Sequence, residues 1–159
     1  MTKAQAETLA QYYGIIYNVV KRQLDGLTNE DSLIQPPFRG NCLNWVFGHI
    51  VFSRNSVLTL LEEDSPWSEA ESARYIRNSE PVTSAENAIP FDQLQDYFEA
   101  SHTRLMAGLQ RISPERMATA IDDETTLGEQ LTFLQWHETY HLGQLEQLRQ
   151  LSGKNDKVI

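Results

Sequence analysis

The sequence has 159 residues, of which 40% are hydrophobic and 22% charged, so one compact domain with an apolar core can form. Thirteen Lys and Arg against twenty-two Asp and Glu leave a net charge of −9, which argues against nucleic acids and anionic membranes as partners because both select basic surfaces. Cys42 is the single cysteine, so we expect no disulfide within the chain. No run of about 18 apolar residues occurs, so we expect no membrane span. The N-terminus lacks a signal-peptide pattern, so we expect a cytoplasmic protein.

Four segments have the three- and four-residue spacing of apolar positions that is typical of helices. The first is predicted from Lys3 to about Leu27, where Gly26 and a polar run at residues 28–32 end it. After the helix-excluding connection at residues 36–40, Asn41 is the expected N-cap of a second helix from about Cys42 to Glu62.

A long connection at residues 63–90 follows, in which Ser68–Arg77 is predicted as a short surface helix. The third long helix is predicted over Phe91–Ile112, and a short element opens at Ser113 and Pro114. Thr126–Glu129 matches a capping box, which begins a last helix that should reach about Leu151. We therefore expect an all-α four-helix bundle, with a long crossover between helices 2 and 3, as a single domain over residues 1–159.

His137 and His141 lie four residues apart in the last helix. This step places two imidazoles about 40° apart around the helix and about 6 Å apart along it, so both can reach one metal ion. The pair also shares an apolar stripe with Leu134, Leu145 and Leu148, which predicts that it faces the core.

Residues 137–141 match H-E-x-x-H, the signature of zincin proteases. The extended zincin pattern requires a third histidine six residues after the second, where this chain has Gln147. The alternative layout requires a glutamate on a later helix, and Glu146 lies on the same helix. We therefore disfavour a zincin protease and look upstream for the third ligand.

His49 is the upstream candidate, because it lies in an otherwise apolar helix next to Gly48, which would let a neighbouring helix approach closely. Two alternatives stay open at this point. His49 could be a core histidine that is hydrogen-bonded to a backbone carbonyl, and the whole chain could be a plain bundle with satisfied core histidines. His102 lies among polar residues and is predicted to be solvated, so we exclude it from the site.

The sequence resembles the DinB/YfiT-like superfamily of metal-binding four-helix bundles. The resemblance rests on W-x-x-G-H-I at residues 45–50, on H-E-x-x-H-x-G-Q-L at residues 137–145, and on the order of the helices. It implies that His49, His137 and His141 bind a divalent metal ion. It further implies a homodimer, and the transfer or isomerisation of small substrates with low-molecular-weight thiols.

Three neutral imidazoles would leave a tetrahedral zinc ion with one open position, the pattern of catalytic sites. Zinc is our first expectation, with nickel or iron as alternatives. The predicted function is a metal-dependent enzyme, a thiol S-transferase or hydrolase, that acts on a small molecule. The alternative is a non-enzymatic, stress-associated metalloprotein or scaffold dimer in which the metal ion is structural.

The sequence alone assigns no catalytic or substrate-binding residue. Glu138 is expected to meet solvent or to orient a ligand in preference to acting as a general base. Gln144 could hydrogen-bond an imidazole or fill space between helices. Trp136 and Tyr140 are expected to be packing residues, and Arg39 could meet an anionic substrate or simply be solvated.

Overall fold

The computed structural model describes residues 3–159 and contains four long helices. In chain order the helices are α1 (Lys3–Leu24), α2 (Asn29–Ser32), α3 (Leu43–Leu60), α4 (Glu69–Ser72), α5 (Phe91–Arg111), α6 (Pro114–Met117) and α7 (Leu127–Leu151). Short 3₁₀ turns cover Ala73–Tyr75 and Ala85–Asn87. Residues 3–159 contain no β-strand, so the all-α prediction is confirmed.

The long helices form a bundle in which α1 and α3 each pack against both α5 and α7. The buried apolar residues fall into two clusters stacked along the bundle. One cluster centres on Phe47, Ile50 and Leu145, and the other on Leu58, Leu105 and Leu131. No helix within residues 3–159 is both long and apolar enough to cross a membrane.

The crossover between α3 and α5 packs on the bundle through buried Trp67, Tyr75, Val82 and Ile89. The surface helix predicted over Ser68–Arg77 is wrong in length, because one α turn is followed by a 3₁₀ turn that ends at Tyr75. Tyr75 is fully buried, so residues 68–77 contribute to the core of the bundle as well as to its surface.

The predicted helix ends are confirmed where capping chemistry is explicit. Thr126 and Glu129 form the reciprocal capping box of α7, and Ser113 caps α6. The Asn41 prediction is wrong: Cys42 occupies the cap position and makes no side-chain cap bond, because its thiol points inward to the backbone oxygen of Val82 at 3.3 Å. Helix α1 ends at Leu24, three residues before the predicted Leu27.

Gly48 lets the ring of Tyr75 lie directly on α3. A Cβ atom at position 48 would fall 2.2 Å from Cδ1 of Tyr75, a distance that real contacts do not reach. Tyr75 is locked in place, because its hydroxyl donates to Oδ1 of Asn44 and accepts from the backbone N–H of Ile89. The close approach that the sequence predicted at Gly48 therefore involves the crossover and not another long helix.

We predict that Gly48→Ala lowers the free energy of unfolding by about 1–3 kcal/mol, because the added methyl group must displace a buried, hydrogen-bonded ring. Urea unfolding followed by circular dichroism measures this change. Gly14→Ala in α1 is the matched control, since nothing lies within 4 Å of the added Cβ. The control should be neutral or stabilising by up to about 1 kcal/mol, through helix propensity. Equal effects of the two substitutions would contradict the packing argument.

Candidate metal centre

The structure brings His49 of α3 together with His137 and His141 of α7. One ring nitrogen from each histidine lies within 4.8 Å of the others, and the three form a group that could hold a metal ion. His49 is buried and the other two are half-buried, so the group lies at the side of the bundle between α3 and α7. The prediction that the α7 pair faces the core is therefore only partly right.

Hydrogen bonds orient two of the three rings. Nδ1 of His49 donates to the backbone oxygen of Tyr75 at 2.6 Å, and Nδ1 of His141 donates to Oε1 of Gln144 at 2.7 Å. Each bond places the proton on Nδ1 and leaves a lone pair on Nε2. This arrangement, with one nitrogen bonded to a carbonyl and the other free, is typical of metal-ligating histidines.

The three rings are in the protonation state that metal binding requires. Burial lowers the pKa of His141 to about 4, against an ordinary value of 6.5. Burial also lowers the pKa of His49 and of His137 below the ordinary value. All three imidazoles are therefore neutral at pH 7, and none must lose a proton before it binds a cation.

The spacing of the α7 pair fits a shared ion. The two Nε2 atoms of His137 and His141 lie 3.1 Å apart. Two Zn–N bonds of about 2.0–2.1 Å at a tetrahedral angle would separate the nitrogens by roughly 3.3 Å. Nδ1 of His137 is buried and has no hydrogen-bond partner within residues 3–159. The donor set and its geometry thus fit a small divalent cation.

Glu138 lies between these histidines in the sequence, and its side chain is buried in the core. It is 1% exposed and forms a bidentate ion pair with Arg54 of α3, in which Nη2 of Arg54 lies 2.6 Å from Oε1. Nε of Arg54 lies 3.1 Å from both carboxylate oxygens. The expected contact of Glu138 with solvent is therefore wrong, because its carboxylate is buried and paired with Arg54.

Arg54 sits at the centre of the bundle and was not singled out from the sequence. Its Nη1 donates to the backbone oxygen of Phe98 and to Oγ of Ser101 on α5, each at 3.3 Å. Its guanidinium carbon lies 3.9 Å from the centre of the Phe98 ring and 6.0 Å from that of Tyr13 on α1. Arg54 therefore touches all three of the other long helices.

An open cleft of about 250 Å³ lies beside the histidine group. Its lining includes His141 and its partner Gln144, together with Phe38 and Arg39 from the loop before α3. Trp45 contributes to the lining and stacks on His49, with ring centres 5.0 Å apart. A small molecule in this cleft would lie against one of the three candidate ligands.

Two further sequence predictions need correction. His102 is not simply solvated: it is half-buried and stacks on Tyr17 with ring centres 3.9 Å apart, and burial lowers its pKa to about 4. Trp136 and Tyr140 are not packing residues of this chain, because they are 57% and 58% exposed. Of the two roles expected for Gln144, the structure shows the hydrogen bond to an imidazole, that of His141.

The fold and the site together define a helical bundle with a side-on group of three histidines between α3 and α7. A family model of the DinB superfamily matches residues 16–145, and the chain belongs to that superfamily. The fold is also similar to the crystal structure of a conserved protein from Enterococcus faecalis, with a TM-score of 0.73, 18% identity, and coverage of 93% of this chain and 97% of the other. A comparison with curated proteins found no match.

We predict that Arg54→Met lowers the free energy of unfolding by about 3–5 kcal/mol, because Glu138 would be left as a buried charge without a partner. The double variant Arg54→Met, Glu138→Leu removes both charges and should recover most of that loss. Chemical unfolding of the two variants measures the difference. A double variant that is as unstable as the single one would show that the charges are not coupled.

Proposed function

We propose that this protein is a metal-dependent enzyme that acts on a small molecule, by thiol transfer or by hydrolysis, through His49, His137 and His141. The observation that carries the proposal is the convergence of three neutral imidazoles beside an open cleft. A structural metal site is usually closed by four protein ligands, whereas catalytic sites keep a position for substrate. Within residues 3–159 the group contains three such side chains.

A divalent ion held by these histidines would supply Lewis acidity towards a bound thiol or carbonyl group. Zinc suits the donor set, and nickel or iron would accept it too. The chain's own residues orient the ligands: the Tyr75 carbonyl holds the His49 ring, and Gln144 holds the His141 ring. Glu138 is engaged by Arg54, so we do not assign it the role of general base.

We predict that the purified protein takes up about one divalent ion per chain, and that His137→Ala weakens binding by more than about 100-fold. Competition with a chromophoric chelator and elemental analysis measure both quantities. His102→Ala is the control: it loses a stacking contact with Tyr17 but no candidate ligand, so its metal affinity should match that of the parent. Equal affinity in the His137 and His102 variants would contradict the assignment.

Turnover separates the enzyme from the alternative, a scaffold with a structural metal ion. Metal-loaded protein should convert electrophiles in the presence of a low-molecular-weight thiol, or cleave small esters, and His137→Ala should not. Complete inactivity towards thiols and esters would favour the scaffold.

The expected homodimer has an observation in its favour. Phe133, Trp136 and Tyr140 form a row of exposed aromatic rings on α7, with neighbouring ring centres 5.7 and 6.2 Å apart. Between Glu129 and Glu146 the exposed face of α7 carries no acidic or basic side chain, because Glu138 is buried. An uncharged face lets two chains of net charge −9 approach each other. We propose that a second copy of this chain covers it.

We predict that Trp136→Lys weakens self-association by about tenfold or more, because an aromatic anchor is replaced by a charge at the proposed interface. Sedimentation equilibrium over a range of concentrations measures the dissociation constant. Ile121→Lys, at an isoleucine that is 41% exposed outside this face, should leave association unchanged. A monomeric parent protein, or equal effects of the two variants, would overturn the dimer proposal.

A further inference from the structure

The charge of the cleft beside the histidines is opposite to that of the whole chain. Among residues 3–159, Arg39 is the only charged side chain that lines it, whereas the chain carries a net charge of −9. Arg39 is exposed and has no hydrogen-bond or ion-pair partner within residues 3–159. Its guanidinium is therefore free to bind a ligand in the cleft.

The residues that line the cleft offer two kinds of chemistry. One is His141, one of three neutral imidazoles that would leave the charge of a bound divalent ion uncompensated. Another is Arg39, whose guanidinium carries paired N–H donors that match a carboxylate. Both would attract negative charge, and no carboxylate within residues 3–159 lines the cleft.

The rest of the lining is rich in aromatic and amide groups. Phe38 and Tyr140 contribute exposed rings, and Gln144 and Gln147 contribute amides. A volume of about 250 Å³ is below that of typical drug-sized pockets, so the occupant must be small. This lining suits a short carbon chain that carries two polar groups.

We propose that the cleft selects small anions that carry a metal-binding group at one end and a carboxylate at the other, with Arg39 as the residue that binds the carboxylate. The inference rests on the proposed function, since the metal-binding group requires an ion at the three histidines. Arg39 is thus a specificity residue and not a ligand of the ion. It acts on the affinity for charged substrates and leaves neutral ones unaffected.

The test compares two thiols of equal length, 3-mercaptopropionate and 3-mercapto-1-propanol, which differ in the carboxylate. Isothermal titration of the zinc-loaded protein measures the affinity of each. We expect the carboxylate to bind about tenfold more tightly than the alcohol, and Arg39→Gln to abolish this difference while the affinity for the alcohol stays unchanged. Arg39→Lys keeps the charge and should retain most of the preference.

Arg77→Gln is the matched control, because Arg77 is an exposed arginine of the crossover that does not line the cleft. It changes the net charge by the same amount and should leave both affinities as in the parent. Equal binding of the two thiols, or equal losses in the Arg39 and Arg77 variants, would overturn the role of Arg39 while the metal-dependent function stands. Binding of neither thiol to zinc-loaded protein would overturn the inference alone, because metal uptake and turnover test the proposed function separately.

Discussion

The buried ion pair between Arg54 and Glu138 is the interaction around which the bundle is arranged. It lies between the two apolar clusters: on α3 Arg54 falls between Val51 and Val57, which belong to different clusters. An unpaired charge at this depth would cost several kcal/mol, so only one relative placement of α3 and α7 satisfies both partners. Apolar side chains alone tolerate sliding, whereas a bidentate pair with two further donors committed to α5 does not.

The same pair bears on the histidines, because the two helices that it joins are the two that carry them. His49 precedes Arg54 by five residues on α3, and His137 and His141 flank Glu138 on α7. Successive residues of a helix are about 100° apart around its axis. When Glu138 is buried, His137 and His141 therefore both lie to the same side of the buried stripe, about 100° and 60° around the axis from the glutamate. This rotation explains why the histidines are half-buried at the edge of the bundle, where a small molecule can reach them.

Much of the fold could be predicted from the sequence, because periodicity and capping are local. The capping box at Thr126 and the bounds of α5 needed no tertiary information. Tyr75 could not be placed in this way, since its burial depends on the absence of a side chain at Gly48, far away along the chain. Asn41 failed as a cap because the neighbouring Cys42 is drawn inward by the crossover, which is also a tertiary effect.

The residues of the candidate site also differ in how far the sequence could predict them. The four-residue spacing pointed to His137 and His141, the family resemblance added His49, and the structure brings the three together. Arg54 and Glu138 also occupy apolar stripes, four residues after Ile50 and Leu134, and that signal was present in the sequence. Taken singly, neither charge indicates an ion pair, because a charged residue in a helix normally faces solvent. Two opposite charges in the buried stripes of two helices predict each other, since neither can be buried without the other.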